Sequence, residues 1–462
     1  MNSTTLNTTV QHGGTRGWVP QSNDRGTLDI LTSCAITTFL CIWTCACVNV
    51  PAPGKGSRDI IQDRWHMFCL GILGPEFVLM SAIGQYCCAK TATQKFRTVK
   101  KSQPTDDWTM RHSYFADMGG VHVKFDGCNA FPVNAEQLHY LVAKEYLQYP
   151  SHLTLDVIKD KNKRDGLSRL LYRIISSVQM FWFTLNTIAR PTQRLAVTTL
   201  ELTTLGYIFC ALGTLCFWRN KPMDILYPVT LQCESELKKI VSEFPGASLE
   251  EYHLTPLECI SRKEWIGSQL WVYYVNILRR MRVVIIRPRV KPVLTRPMVF
   301  LMLLLSFSYT GIFVAGWNLY YPSNVERLLW RISTLGTLVV VVIGAIFEAS
   351  YMFLRPNQIS EEVDVPRDIE QTKQPGAPAR PSKEKKLSTL KRLLSKTRNN
   401  SPDQDPALEI PLHALLFTTP LCALYTIFRI YILIEDIISL RRLPVSAFVS
   451  VDWSMYIPHI NI

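Results

Sequence analysis

LAVTTLELTTLGYIFCALGTLCFW, residues Leu195–Trp218, is the stretch whose reading decides the fold. It holds one carboxylate, Glu201, and no basic residue. About 20 apolar residues cross the hydrocarbon layer of a bilayer, so the run reads as a membrane helix. Four more runs of this kind lie around it: Ile30–Val50, Pro297–Trp317, Ile332–Ser350 and Pro411–Ile434. Two others are less regular. HMFCLGILGPEFVLMSAIGQYCCA, His66–Ala89, is long enough but is broken by Gly74-Pro75. Leu170–Ala189 is shorter and carries Arg173 near its start. The expectation is an all-α polytopic membrane protein with about seven membrane segments.

Composition agrees with that reading. The chain has 462 residues, 47% of them apolar and 11% aromatic. Mean hydropathy is +0.08, high for a soluble protein with 19% charged residues. The net charge of +13 would suit nucleic acid if the bases formed one face. They concentrate instead in loops, at Lys90–Lys101, Lys159–Arg173, Arg279–Arg296 and Lys383–Arg398. That is the pattern of positive-inside bias and of attraction to anionic headgroups, so membrane lipid is the expected partner and nucleic acid is not. The 13 cysteines are scattered without zinc spacing and read as small buried hydrophobes.

From the N-terminus, residues 1–29 are a polar head with glycosylation sequons at Asn2 and Asn7, which suits a lumenal location. The first apolar run behind it reads as a signal anchor rather than a cleaved signal peptide. Residues 30–89 hold the first span and the broken segment, and 90–169 form a polar extramembrane region with helical periodicity over Phe131–Tyr149. Residues 170–218 read as a membrane hairpin closed by the turn Arg190–Arg194. Residues 219–296 form a basic extramembrane region, and 297–350 a second hairpin with its loop at Tyr320–Glu326. Residues 351–410 make a disordered basic linker, and 411–462 the last span and a polar-aromatic tail.

The broken segment leaves one topological choice open. If His66–Ala89 crosses, Lys90, Lys95, Arg97, Lys100 and Lys101 land on the lumenal side, against the charge bias. If it re-enters, they stay cytosolic, and backbone freed at Gly74-Pro75 must line a cavity or be buried in protein.

Ionisable groups inside apolar runs are costly and tend to mark cavities and pathways. Glu76 and Glu201 are therefore the candidate proton donors, with Asp117 beside His112 a third; burial can hold a carboxyl ready as an acid. Arg190, Gln193 and Arg194 in the hairpin turn could hold an oxygen-bearing group. Trp182 and Tyr207 are aromatics that could steady a cation. For each residue there is a purely structural alternative: an internal ion pair, headgroup anchoring, or helix packing. DDxxD, DxDD, Walker A, GxSxG and GxGxxG motifs are absent.

GTLDILTSC (Gly26–Cys34), GPEFVL (Gly74–Leu79), HSYFADMGG (His112–Gly120), IARPTQRLAVTTLELTTLGY (Ile188–Tyr207), FWRNKP (Phe217–Pro222) and LRRLPVSAFVSVDWSMYIPHI (Leu440–Ile460) occur in this order over nearly the whole chain. Together they resemble a large family of fungal polytopic membrane proteins, which is similar to the macrophorin-type integral membrane terpene cyclases. The resemblance implies a multi-pass enzyme of the endoplasmic reticulum that takes a lipophilic, prenylated small molecule. It would protonate the terminal alkene and cyclise the chain without metal or cofactor. A proton-coupled transporter and a non-catalytic scaffold are the alternatives.

Overall fold

The computed structural model describes residues 14–20, 25–51, 57–99, 108–150, 153, 166–223, 225, 227–243, 255–257, 260, 269–270, 273–274, 296–354, 398–400 and 409–455. The two sequons and nearly all of the 351–410 linker lie outside these residues. The fold is all-α, with two small sheets as accessories. Its helices are α1 (Thr27–Cys45), α2 (Ser57–Leu73), α3 (Pro75–Val99), α4 (Met110–Asp117), α5 (Ala135–Ala143), α6 (Gly166–Thr192), α7 (Thr199–Phe217), α8 (Leu237–Ser242), α9 (Arg296–Ala315), α10 (Asn324–Leu354) and α11 (Leu412–Ile438). The strands are β1 (Thr15–Arg16), β2 (Val121–Phe125), β3 (Phe131–Pro132), β4 (Val229–Cys233) and β5 (Leu443–Pro444).

Among the described residues four helices are long and apolar enough to cross a membrane: Thr27–Cys45, Thr199–Asn220, Pro297–Asn318 and Asn324–Phe347. The bent pair Ile60–Leu73 and Pro75–Thr98 makes a fifth segment if its halves are counted together. α6 is of similar length but more polar, while α11 is of similar length and as apolar but carries Arg429, Glu435 and Asp436. The outward face of α6 shows Ile175, Val178, Phe181 and Ile188 more than half exposed, as a lipid-facing stripe would be.

Contacts fix the directions of the helices. α1 and α7 are parallel: Arg25 meets Glu201, Thr38 meets Thr204, and the Cys45 thiol reaches the Ala211 carbonyl. α6 runs the other way, with Arg173 beside Met223 at one end and Arg190 bonded to Ala196 at the other. α10 and α11 are antiparallel, through Phe347 on Phe417 and Arg441 on Glu326. The bundle therefore has two distinct ends. At one end lies a small layer built from α4, α5 and the sheet β3-β2-β4. In that sheet β2 pairs in parallel with β4, Val121 against Val229 through Phe125 against Cys233. At the other end the C-terminal tail folds over the α6–α7 turn, and β5 pairs with β1.

The sharpest local feature is the break between α2 and α3. Their axes bend by 115° at Gly74-Pro75. Pro75 supplies a preset φ for the first turn of α3 and has no N–H to leave unpaired. Gly74 is required sterically, since a Cβ there would meet the Phe77 ring at 2.5 Å. Both outer ends of the pair reach the sheet end. Val50, just before α2, donates to the Met118 carbonyl, and at the far end of α3 Thr93 bonds Ser113 and Lys95 bonds Glu136. Its tip points into the bundle, where the Tyr207 hydroxyl donates to the Ile72 carbonyl at 2.5 Å and Arg429 Nε to the Leu73 carbonyl at 3.3 Å. That is the geometry of a re-entrant hairpin.

The periodicity over Phe131–Tyr149 resolves into a strand and a short helix. Pro132 and Asn134 stop the helix from starting earlier, and Asn134 caps it, its side chain accepting from Gln137 N at 2.8 Å. Glu145 at φ 59 closes the segment in the left-handed region.

Candidate functional site

The two glutamates named from the sequence have opposite surroundings. Glu201 opens α7 in a capping box with Thr198: it accepts from the Thr198 N–H at 2.9 Å while the Thr198 hydroxyl accepts from its own N–H. Its other carboxylate oxygen meets Arg25 at 2.6 Å and lies 3.9 Å from Arg190. Both lone-pair faces of the carboxylate are therefore occupied, and two guanidinium groups hold it as an anion.

Glu76 stands in the first turn of α3, at the tip of the hairpin. It is buried, and neither carboxyl oxygen has a hydrogen-bond partner among the described residues. The Tyr309 hydroxyl and the Arg429 guanidinium face it. Arg429 is 1% exposed, lies over the rings of Phe313 (4.9 Å) and Tyr309 (5.5 Å), and leaves both terminal nitrogens without a hydrogen-bond partner among the described residues. Tyr207 closes the side toward α7. A narrow cleft of about 20 Å³, room for little more than one water molecule, adjoins the tip, lined by Cys41, Cys45, Met67, Pro75, Val78, Tyr207 and Cys210 among others. Its walls are almost wholly apolar.

Arg429, Tyr309 and the buried pair Glu435–Asp436 were not singled out from the sequence. Arg429 sits inside Pro411–Ile434, a run read there as a plain span. The rule that selected Glu76, an ionisable group within an apolar run, selects Arg429 as well. Glu435 and Asp436 follow the run, and their burial depends on α7 and α10 packing against the end of α11.

The remaining candidates are engaged within the chain. Arg190 is fully buried and donates to the carbonyls of Ala196, Ser446, Ala447 and Val449. Gln193 makes a reciprocal pair with the Asp452 backbone at 2.7 and 3.0 Å. Trp182 lies against Trp453 with ring centroids 5.0 Å apart. Arg194 occupies the left-handed turn position at φ 57. The hairpin turn thus clasps the C-terminal tail. His112 bonds Thr109 and closes the N-terminal box of α4.

Asp117 is not near Glu76. It lies in the layer of α4, α5 and the sheet, where Oδ1 accepts from Ala135 N at 3.0 Å and Oδ2 is buried without a partner among the described residues. Burial pushes its carboxyl up to about 7. Burial also lowers the ammonium of nearby Lys221, which donates to Gln85 at 2.9 Å and lies 4.0 Å above the Trp218 ring. An acid raised in this way holds its proton longer in the folded state. It favours folding at low pH, and that contribution is lost as pH rises from about 3.8 through about 7. Asp117→Asn is expected to flatten this part of the pH–stability curve of the detergent-solubilised protein, measured as thermal midpoint. An unchanged slope would show that the carboxyl ionises freely in the folded protein.

Among the described residues no three His, Cys, Asp or Glu side chains gather closely enough to hold a metal ion. The chain belongs to a family of unknown function (DUF8562), whose profile matches residues 3–249 and 298–460. No curated protein and no solved structure matches the chain.

Proposed function

We propose that this family member is a membrane-embedded cyclase that protonates the terminal alkene of a lipophilic, prenylated substrate, with Glu76 as the acid. One observation carries the reading. Glu76 is a buried carboxyl with no hydrogen-bond partner among the described residues, at the tip of a re-entrant hairpin whose Pro75 and Val78 line an apolar cleft. A carboxylic acid in such a place is poorly solvated as an anion and is kept ready to give a proton. The alkene π bond takes that proton, and internal alkenes attack the resulting cation in turn. Loss of a proton from the last cation gives a product isomeric with the substrate. The cleft next to Pro75 and Tyr207 is where the alkene would lie, and it is narrow. A full prenyl chain enters only if the α2–α3 hairpin shifts away from α1 and α7.

In this reading α1, α6, α7, α9, α10 and α11 cross the bilayer of the endoplasmic reticulum, and α2–α3 dips in from the cytosolic face. Both basic regions then lie on the cytosolic side, in accord with the charge bias. The tail and the N-terminal head share the lumenal side. This predicts that an impermeant thiol reagent labels exposed Cys128 in intact microsomes, while Asn2 and Asn7 carry glycans. Labelling of Cys128 only after the membrane is opened would reverse the orientation.

The activity test uses microsomes containing the full chain, fed linear farnesylated quinols and epoxycyclohexenones. A new product of unchanged mass that is lost in Glu76→Gln supports the cyclase. A second reading, proton-coupled transport, draws on the further ionisable groups between Glu76 and the tail end. It predicts flux in sealed vesicles that follows a pH gradient, with no isomer formed.

A further inference from the structure

Glu76 needs a fresh proton after each turnover, and the cleft beside Pro75 is lined almost wholly by apolar groups that relay none. On its other side lie two more buried carboxyls. Asp436 is 1% exposed, and neither of its oxygens has a hydrogen-bond partner among the described residues. It is faced by Thr199 and Thr203 of α7, by Cys34 of α1, by Tyr321, and by Arg429 and Glu435 of its own helix. Glu435 is buried as well. One of its oxygens has no partner among the described residues, and the other accepts from the Tyr431 hydroxyl at 3.1 Å. Beside it stands Glu326 of α10, paired with the exposed Arg441 at 2.5 Å. Glu76 itself is faced by Arg429, Tyr309, Tyr207 and Cys210.

These groups run from the surface of the tail end to the hairpin tip. We infer that Glu435 and Asp436 are positioning residues that reload Glu76 with protons from the tail side of the membrane, across the Arg429 guanidinium. The inference rests on Glu76 exchanging protons, whatever consumes them.

Charge balance explains why Arg429 stands in the middle. Buried charge is tolerated when it is compensated. One guanidinium offsets one carboxylate, so Glu76 and Asp436 hold one proton between them. When Glu76 gives up that proton, both carboxyls are anionic beside one cation. A proton from water at the Glu326–Arg441 edge then passes by Glu435 to Asp436 and on to Glu76. One proton enters for each one given. In a cyclisation, the proton lost from the last cation restores the overall balance.

The test is time-resolved infrared spectroscopy on the full-length protein in lipid vesicles after a pH jump. The protonated-carboxyl band that disappears in Glu76→Gln belongs to Glu76. Glu435→Gln and Tyr431→Phe are expected to leave the size and position of that band unchanged and to slow its relaxation by about tenfold or more. A merely structural role of either residue would alter the band at equilibrium and not its rate alone. Asp436→Asn, which removes the second carboxyl facing Arg429, is expected instead to shrink the band, because Glu76 is left as the anion that offsets the guanidinium. Unchanged relaxation in the folded variants would overturn the relay. Slowed relaxation together with no isomer from any substrate would sink the cyclase and leave the relay standing.

Discussion

Glu76→Gln is expected to abolish isomer formation, by about 10²- to 10⁴-fold, with the protein still present and folded. Glutamine keeps the shape of the side chain and can still meet the Tyr309 hydroxyl, but it has no proton to give. Glu76 makes no well-formed hydrogen bond with the described residues, and the approach of the Tyr309 hydroxyl is one that glutamine retains. Thermal midpoint in detergent should therefore shift little while turnover vanishes. Product formation by mass spectrometry, measured against protein amount, gives the answer. Full activity in Glu76→Gln would end the proposed mechanism. Activity lost in Glu201→Gln, with an unchanged thermal midpoint, would move the acid to α7.

The second large effect is on stability. Arg190→Ala is expected to cost about 3–5 kcal/mol, the usual loss when one partner of a buried charge pair is removed. The guanidinium has two tasks. It shares Glu201 with Arg25, and it holds three tail carbonyls, of Ser446, Ala447 and Val449. Without it, Glu201 keeps one cation and the tail loses its main anchor. Arg190→Lys keeps the charge but lacks the planar fork, so it should recover only part of the loss. Limited proteolysis should then cut between Leu440 and Trp453, where the wild type resists. A variant that melts and resists cleavage like the wild type would show that Gln193 and β1 hold the tail unaided.

The two predictions separate groups that look alike in the sequence. Glu76 and Glu201 are each an acid in an apolar run. They part company over a partner supplied from far along the chain. Arg25 lies 176 positions from Glu201 and precedes α1. Arg190 can be suspected from its place in the adjoining turn, but its carbonyl partners lie more than 250 positions on. Local sequence cannot tell an orphaned carboxyl from a clasped one. The same holds for Arg190 and Gln193, which have the chemistry of an oxygen-binding pair and spend it on the tail.

What the amino-acid sequence determined by itself is the set of membrane-length helices and the break at Gly74-Pro75. Both are local: an apolar run of bilayer length has few other solutions, and Gly-Pro imposes its bend within a few residues. The presence of Glu76 inside such a run was equally legible. Only the tertiary structure decided that the broken segment turns back, because that follows from Val50 and Lys95 reaching the same small layer. It alone paired β2 with β4 across more than 100 residues, and a five-residue strand without a neighbouring partner leaves little trace in sequence. It alone brought Arg429 up to both Glu76 and Asp436. Burial and charge compensation are properties of helices brought together, and the cost of an unpaired buried charge is set by neighbours that the local sequence does not name.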